Sequence, residues 1–246
     1  MVIKKKSTKW IISILLIVSL LVTSCMVYLS IHYSADTSAI DAFMYSDLVT
    51  VDERRDFTAF VPAEPTGDGF IFYPGGKVES KAYYPLMHAL ATSGIFSAVV
   101  NVPFHLAIFD TNAATDVQKA FPNIEHWFIG GHSLGGAMAA SHLSKNTDKF
   151  LGLVLLGAYS TKDISSSDIS VLLVYGSEDK VMNKEKYDSC TNNLPKNFSE
   201  SIIDGGNHAY FGMYGEQKGD GNATISNEDQ IYTTADKIIH FIILHG

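Results

Sequence analysis

The sequence predicts an α/β fold with a mostly parallel sheet that helices cover on both faces. From residue 69 onward, short apolar segments alternate with helical ones, which is typical of parallel strands joined by crossover helices. These apolar segments lack the polar residue at every second position that a half-exposed strand shows, so both of their faces are expected to be buried. The chain has 246 residues, 46% hydrophobic and 18% charged, and is therefore long enough for one domain with a large core.

The N-terminus predicts a membrane anchor. Residues 1–9 carry four lysines and no acidic residue, and residues 10–31 carry no charge. An uncharged run of that length spans the hydrocarbon core as one helix, and the lysines hold its N-terminal end in the cytoplasm. We therefore expect a cytoplasmic basic segment at 1–9, a transmembrane signal anchor at 10–31, and a bacterial single-pass membrane protein whose remaining domain is extracytoplasmic.

Two other interpretations of this apolar run place the domain on the same side of the membrane. Val22–Cys25 resembles a bacterial lipobox, in which Cys25 is acylated after cleavage, and a cleaved secretory signal is the third option. The retained anchor is favoured because apolar residues continue as far as Ile31, where a mature lipoprotein usually begins a polar tether.

Residues 32–46 are predicted to form a linker or short helix, and 47–246 the folded domain. Leu48–Glu53 and Phe57–Val61 alternate apolar and polar residues, which predicts a β-hairpin at the sheet edge. The other predicted strands are Phe70–Tyr73, Phe96–Val100, Ile124–Ile129, Phe150–Leu156, Val171–Tyr175 and Glu200–Ile203. The predicted helices are Ser80–Ser93, Thr115–Ala120, Gly136–Lys145, Lys184–Asn193 and Asn227–Leu244.

The segment Gly131–Gly135 has the pattern G-x-S-x-G between an apolar strand and an alanine-rich helix. In a nucleophile elbow of this kind, strained backbone geometry pushes the serine Oγ into the open, here that of Ser133. The flanking glycines let the strand and the helix approach without a Cβ clash. A glycine-rich turn with an idle serine has the same pattern, so an acid and a histidine further along the chain must decide between the two.

Both groups follow, each after a predicted strand. Asp179 follows the strand Val171–Tyr175 and is the preferred acid, with Glu178 as the alternative, and His208 follows the last strand. The carboxyl ends of parallel strands meet at one edge of the sheet, so these side chains are expected to lie near Ser133. The chain order serine, acid, histidine is that of a known hydrolase architecture.

The remaining candidates belong to the oxyanion hole and to the substrate pocket. One backbone donor is expected at Leu134, directly after the serine, and the other in the loop Pro74–Lys77, at Gly76 or Lys77. His105 follows the strand Phe96–Val100 at the same edge and is a candidate for substrate contact.

Charge and composition exclude several other classes of function. The net charge is −8, and because four of the lysines lie within the first nine residues, the rest of the chain is still more acidic, which argues against nucleic-acid binding. The two cysteines form neither a disulfide framework nor a zinc site, and no pair of histidines has metal-ligand spacing with a carboxylate. We therefore predict neither a metal nor a cofactor, and the sequence indicates no oligomeric state.

Three segments carry a family resemblance over residues 69–246: Phe72–Val78, Gly131–Gly136 and Gly205–Ala209. They resemble the α/β-hydrolases, and more narrowly the small membrane-anchored bacterial members related to the dienelactone-hydrolase-like group. The resemblance implies the α/β-hydrolase fold, the triad roles of Ser133, Asp179 and His208, and hydrolase activity without a cofactor. Dienelactone hydrolases themselves use a cysteine nucleophile, so a serine at 133 points away from a dienelactone substrate.

Only residues 158–170 separate the strand after the elbow helix from the strand before Asp179, too few for a helical cap domain. We therefore expect an open pocket that suits a small acyl substrate. The function predicted from the sequence is an extracytoplasmic serine hydrolase that transfers an acyl group to water from an ester, thioester or lactone, or an amide. A peptidase or acyltransferase with the same triad, and a catalytically idle ligand-binding module, are the alternatives.

Overall fold

A computed structural model of the chain describes residues 3–44 and 46–246. It forms two compact units, one ending at His32 and the other comprising Tyr33–Gly246. The described residues of the first unit contain one helix, α1 (Ile3–Ser30), whose part Lys9–Ser30 is long and apolar enough to cross a membrane. The predicted division into basic segment, anchor, linker and domain stays a prediction, and its residues 1, 2 and 45 lie outside the described part of the chain.

The second unit contains an eight-stranded sheet in the order β1-β2-β4-β3-β5-β6-β7-β8. β1 and β2 pair antiparallel at one edge, and β2 pairs antiparallel with β4. The other neighbouring strands pair parallel. The strands are β1 (Val49–Glu53), β2 (Phe57–Pro62), β3 (Asp68–Tyr73), β4 (Phe96–Val100), β5 (His126–His132), β6 (Gly152–Leu156), β7 (Ser170–Gly176) and β8 (Ser199–Ile203).

The helices of this unit follow the predicted order. They are α2 (Thr37–Phe43), α3 (Tyr84–Thr92), α4 (Ala114–Ala120), α5 (Leu134–Leu143), α6 (Lys184–Cys190) and α7 (Asn227–His245). The predicted helix Ser80–Ser93 is divided: a 3₁₀ turn covers Ser80–Tyr83, and α3 then begins with Pro85 in its first turn, where a missing N–H does no harm. α2 lies in the predicted linker and buries Ile40.

Successive residues of the central strands enter two separate hydrophobic clusters. Phe70 and Phe72 of β3 pack on one face with residues of α3 and α7, whereas Ile71 and Tyr73 pack on the other face with residues of α4, α5 and α6. Helices therefore cover both faces of the sheet. This arrangement confirms the predicted fold class and explains why the central strands carry apolar residues on both of their faces.

The topology brings several loops to the carboxyl edge of the sheet. β5 ends at His132, and the loops after β3, β7 and β8 begin beside it, because all these strands run parallel. Residues 157–169, all of them described, contain neither helix nor strand. As predicted, no cap domain stands between β6 and β7.

Candidate active site

Ser133 stands on a strained turn between β5 and α5. Its φ is 53° and its ψ is −122°, a backbone conformation that residues other than glycine rarely adopt, so the helix begins only at Leu134. The Ser133 N–H donates to the carbonyl of Leu156 on β6 at 2.9 Å. A Cβ on Gly131 would lie 2.6 Å from the carbonyl oxygen of Tyr73, and one on Gly135 would collide with the same oxygen. Both glycines are therefore required for β3 and α5 to meet.

Asp179 and His208 form a buried pair. The Nδ1 atom of His208 lies 2.7 Å from Oδ2 of Asp179, and each side chain is 1% exposed. The second oxygen of Asp179 accepts the N–H groups of Val181 and Met182, each at 2.9 Å. The structure thus pairs Asp179 with the histidine. The alternative acid, Glu178, accepts a hydrogen bond from the neighbouring Ser177 instead.

Gly157, the residue after β6, makes room for this pair. Its φ is +51°, and a Cβ at this position would lie 2.9 Å from His208 Nδ1 and 3.1 Å from Asp179 Oδ2. The sequence pattern gives no role to Gly157. The one signal for such a role is its position, because Gly157 is a glycine directly after β6, the strand that pairs with the strand leading into the elbow.

Asp220 ties the acid loop to the histidine loop. Its Oδ2 accepts the N–H of Ala209 at 2.8 Å, and its Oδ1 accepts those of Gly221 at 2.8 Å and Lys180 at 3.3 Å. One carboxylate therefore accepts hydrogen bonds from the backbone of Ala209, which follows His208, and of Lys180, which follows Asp179. No local pattern in the sequence marks Asp220 for this role.

Ser133 and His208 line the same cavity, which has a volume of about 350 Å³. The buried Nε2 atom of His208 has no hydrogen-bond partner within residues 3–44 and 46–246, so Ser133 Oγ does not hydrogen-bond to it in this structure. Such bonds are often long before substrate binds. The lining residues are Ser133, Leu134, Ala137, Met138, Gly157, Ala158, Tyr159, Thr161, Val181, Met182, Asn183 and His208.

Two backbone N–H groups are suited to an oxyanion hole. Leu134 opens α5, and the N–H groups of a first helical turn have no acceptor within the helix. Gly76 faces this residue closely, since a Cβ on Gly76 would lie 3.0 Å from Leu134 Cδ2. The N–H of Lys77, the other candidate in this loop, donates to the carbonyl of His105 at 2.7 Å, which favours Gly76 as the donor.

His105 supports the same loop through its main chain. The residue has a φ of 55° and is half-buried, and its carbonyl accepts the Lys77 N–H. It is not among the residues that line the cavity beside Ser133. Substrate contact by the His105 imidazole stays a prediction.

His132, the variable residue of the elbow, is buried behind Ser133 with 1% of its surface exposed. Its Nδ1 atom lies 2.8 Å from the hydroxyl of Tyr83, and its ring centroid lies 4.5 Å from that of His208. Burial, and next the neighbouring His208, lower the pKa of His132 well below its usual value. Among the described residues no cluster of three or more histidine, cysteine or acidic side chains could hold a metal ion.

A sequence profile described as the alpha/beta hydrolase family matches residues 69–232, about two thirds of the chain. The chain belongs to the alpha/beta hydrolase family. The match does not test the narrower resemblance to the dienelactone-hydrolase-like group, which stays a prediction. No curated protein matches this alpha/beta hydrolase in sequence.

Solved structures share the alpha/beta hydrolase fold with this chain at low identity. Est1E from Butyrivibrio proteoclasticus is 13% identical with a TM-score of 0.57, and the match covers 80% of this chain and 98% of Est1E. The esterase domain of a Rhodothermus marinus protein is 15% identical with a TM-score of 0.57, covering 78% and 96%. The acylaminoacyl peptidase of Pyrococcus horikoshii is 14% identical with a TM-score of 0.58, covering 81% of this chain and 42% of the peptidase.

Proposed function

We propose that this alpha/beta hydrolase is a membrane-anchored, extracytoplasmic serine hydrolase that transfers an acyl group from an ester, thioester or lactone to water. The observation that carries the proposal is the buried Asp179–His208 pair, 2.7 Å apart, whose histidine lines the same cavity as Ser133 on its strained turn. A structural ion pair has no need of a strained serine beside it, and a glycine-rich turn has no need of a buried acid–histidine pair.

Each member of the triad has a distinct role. His208 takes the proton of Ser133 as Oγ attacks the substrate carbonyl, and it then gives that proton to the leaving group. Asp179 accepts a hydrogen bond from Nδ1 of His208, which keeps the lone pair of Nε2 available to the serine and stabilises the imidazolium. A water molecule then releases the acyl group from Ser133 by the same steps, and no cofactor takes part.

The negative charge on the tetrahedral intermediate requires two fixed donors. The N–H groups of Leu134 and Gly76 supply them, one from the first turn of α5 and one from the loop after β3. These donors are rigid because β3 and α5 are in backbone contact at Gly135. They therefore need little reorganisation when the charge develops.

The cavity favours an ester with a small acyl group. Its volume of about 350 Å³ lies near the lower end of the range for ligand pockets. Met138, Tyr159, Val181 and Met182 give it apolar walls, while residues 157–169 are too short to add a lid. Est1E and the Rhodothermus marinus domain, two structures of the same fold, support an esterase. The acylaminoacyl peptidase makes a peptidase the second candidate.

The membrane part of the proposal is supported by α1. Its segment Lys9–Ser30 is long and apolar enough to span a bilayer, and the lysines that precede it favour a cytoplasmic N-terminus. The hydrolase unit would then lie outside the cytoplasm. An anchor acylated at Cys25 gives the same sidedness and is the alternative.

The proposal is tested by labelling the full chain, solubilised in detergent, with a fluorophosphonate probe that reacts with activated serines. We expect wild type and Ser93→Ala, which removes an exposed serine, to be labelled, and Ser133→Ala to remain unlabelled. Absence of labelling in folded wild-type protein would overturn the proposal and favour a ligand-binding module.

A further inference from the structure

We propose that His132 and Tyr83 form a buried positioning pair that fixes both the general base and the oxyanion loop of this hydrolase. The inference rests on the proposed serine hydrolase function. It assigns His132 a role beyond that of a variable residue in the elbow, and gives Tyr83, which no sequence motif marks, a place in the same network.

The hydrogen bonds around Tyr83 determine which way its proton points. The side chain is fully buried, and burial raises the pKa of the phenol well above its usual value, so the hydroxyl stays protonated. Its oxygen accepts the N–H of Gly75 at 3.0 Å. The single O–H of Tyr83 is then left to donate to Nδ1 of His132, 2.8 Å away.

This donation fixes the state of His132. A ring that accepts at Nδ1 carries its proton on Nε2, and burial keeps the ring uncharged by lowering its pKa. The titratable groups nearest to the pair are His208 against the ring of His132, and Tyr214, whose phenol interacts with Tyr83 and Asp179. A neutral, fixed ring therefore lies against the ring that takes up the proton of Ser133.

The contact between the two imidazoles restricts the motion of His208. Their centroids are 4.5 Å apart, and the ring of Phe211 also packs against His132, with a centroid distance of 5.5 Å. Asp179 holds Nδ1 of His208, but one hydrogen bond leaves the ring free to tilt about it. The ring of His132 limits that tilt and so directs Nε2 into the cavity.

The same pair also fixes the loop that carries the oxyanion donor. Gly75 is bonded to Tyr83, and a Cβ at Gly75 would lie 2.7 Å from Nδ1 of His132 and 2.8 Å from the Tyr83 hydroxyl. The loop therefore lies directly on the pair, with Gly76 as the next residue. Loss of either partner is expected to displace the base and an oxyanion donor together.

The test compares three variants of the full chain in detergent, with p-nitrophenyl acetate as substrate. His132→Asn offers an amide oxygen in place of Nδ1, His132→Leu removes the acceptor, and Tyr83→Phe removes the hydroxyl. We expect His132→Leu and Tyr83→Phe to lower kcat about 10- to 100-fold with little change in KM, because misplacement by about 1 Å costs that much in an aligned site. His132→Asn is expected to recover part of the loss, because it restores the acceptor for the Tyr83 hydroxyl but not the ring that packs on His208.

The control is His88→Leu, the same replacement at another buried histidine, which lies on α3. It is expected to keep wild-type kcat. Wild-type kcat in both His132→Leu and Tyr83→Phe, or equal loss in His132→Asn and His132→Leu, would overturn the positioning role. Should His132→Leu not fold, Tyr83→Phe and His132→Asn decide the matter. These results are distinct from a failure of the proposed function, in which wild type itself would neither turn over the ester nor react with the fluorophosphonate.

Discussion

Nδ1 of His208 lies 2.7 Å from Oδ2 of Asp179 while both side chains are 1% exposed. A carboxylate so enclosed must have its lone pairs occupied, and the N–H groups of Val181 and Met182 occupy those of the other oxygen. The loop that follows Asp179 therefore orients the carboxylate independently of its contact with the histidine. Because these N–H groups hold the carboxylate in place, Asp179 in turn fixes the orientation of the His208 ring.

Asp179→Asn is expected to lower kcat about 10³- to 10⁴-fold, because an amide can donate to Nδ1 and stabilise the wrong tautomer of His208. The fold is expected to persist, since the asparagine keeps the size of the side chain and an oxygen for the two N–H groups. Steady-state hydrolysis of p-nitrophenyl acetate, with thermal unfolding as the check on folding, measures both effects. Glu178→Gln is the matched control and is expected to retain activity; loss of activity in that variant alone would transfer the acid role to Glu178.

The fold was predictable because its central strands carry apolar residues on both of their faces. Phe70–Tyr73 was located from its run of apolar residues, and the structure extends it only to Asp68–Tyr73. β5 was predicted to end at Ile129, but Gly130 and Gly131 continue to pair with β6 as far as His132. Glycine is unfavourable in strands, so a strand predicted from its sequence ends too early where the close approach of another backbone requires glycine within the strand.

The site was predictable only in part. Ser133, Asp179 and His208 follow predicted strands, so their convergence could be expected from topology. The supporting contacts could not: Tyr83 and His132 are separated by 49 positions, and Asp220 reaches back 40 positions to Lys180. Neither pair belongs to one element or one motif, so no local periodicity marks it. The bonding of the Lys77 N–H likewise depends on a distant carbonyl, that of His105.

Acid is expected to destabilise the hydrolase partly through His132. Burial lowers the pKa of His132 in the folded chain, whereas the unfolded chain titrates near the usual value of about 6.5. The stabilisation is therefore fully present above that value and is lost as the pH falls below it, at up to about 1.4 kcal/mol per pH unit for one proton. His132→Asn removes this contribution, so its free energy of urea unfolding is expected to fall less steeply from pH 6.5 to pH 5. The exposed His240→Asn is the control and is expected to follow wild type; an unchanged slope in His132→Asn would contradict the assignment.

The retained anchor makes a prediction about the mature N-terminus. If α1 spans the membrane uncleaved, the protein extracted from membranes keeps its first residues, and Cys25→Ser leaves the membrane fraction unchanged. Intact-mass spectrometry of the extracted chain and fractionation of both forms give the result. A mature chain that begins at an acylated Cys25 would establish the lipoprotein, and a soluble chain lacking the apolar helix would establish a cleaved signal.

Acyl-chain length is expected to discriminate among esters. A cavity of about 350 Å³ beside Ser133, without a lid from residues 157–169, encloses a short acyl chain but leaves a long one in water. We expect kcat/KM for p-nitrophenyl esters to be highest for acetate and butyrate and to fall from octanoate onward. Met138→Ala removes part of the cavity wall on α5 and is expected to shift the optimum toward longer chains, whereas Met87→Ala, a buried methionine of α3 that does not line the cavity, is expected to leave the profile unchanged. A wild-type preference for long chains would place acyl binding outside this cavity, because apolar chain atoms improve kcat/KM only where the protein removes them from water.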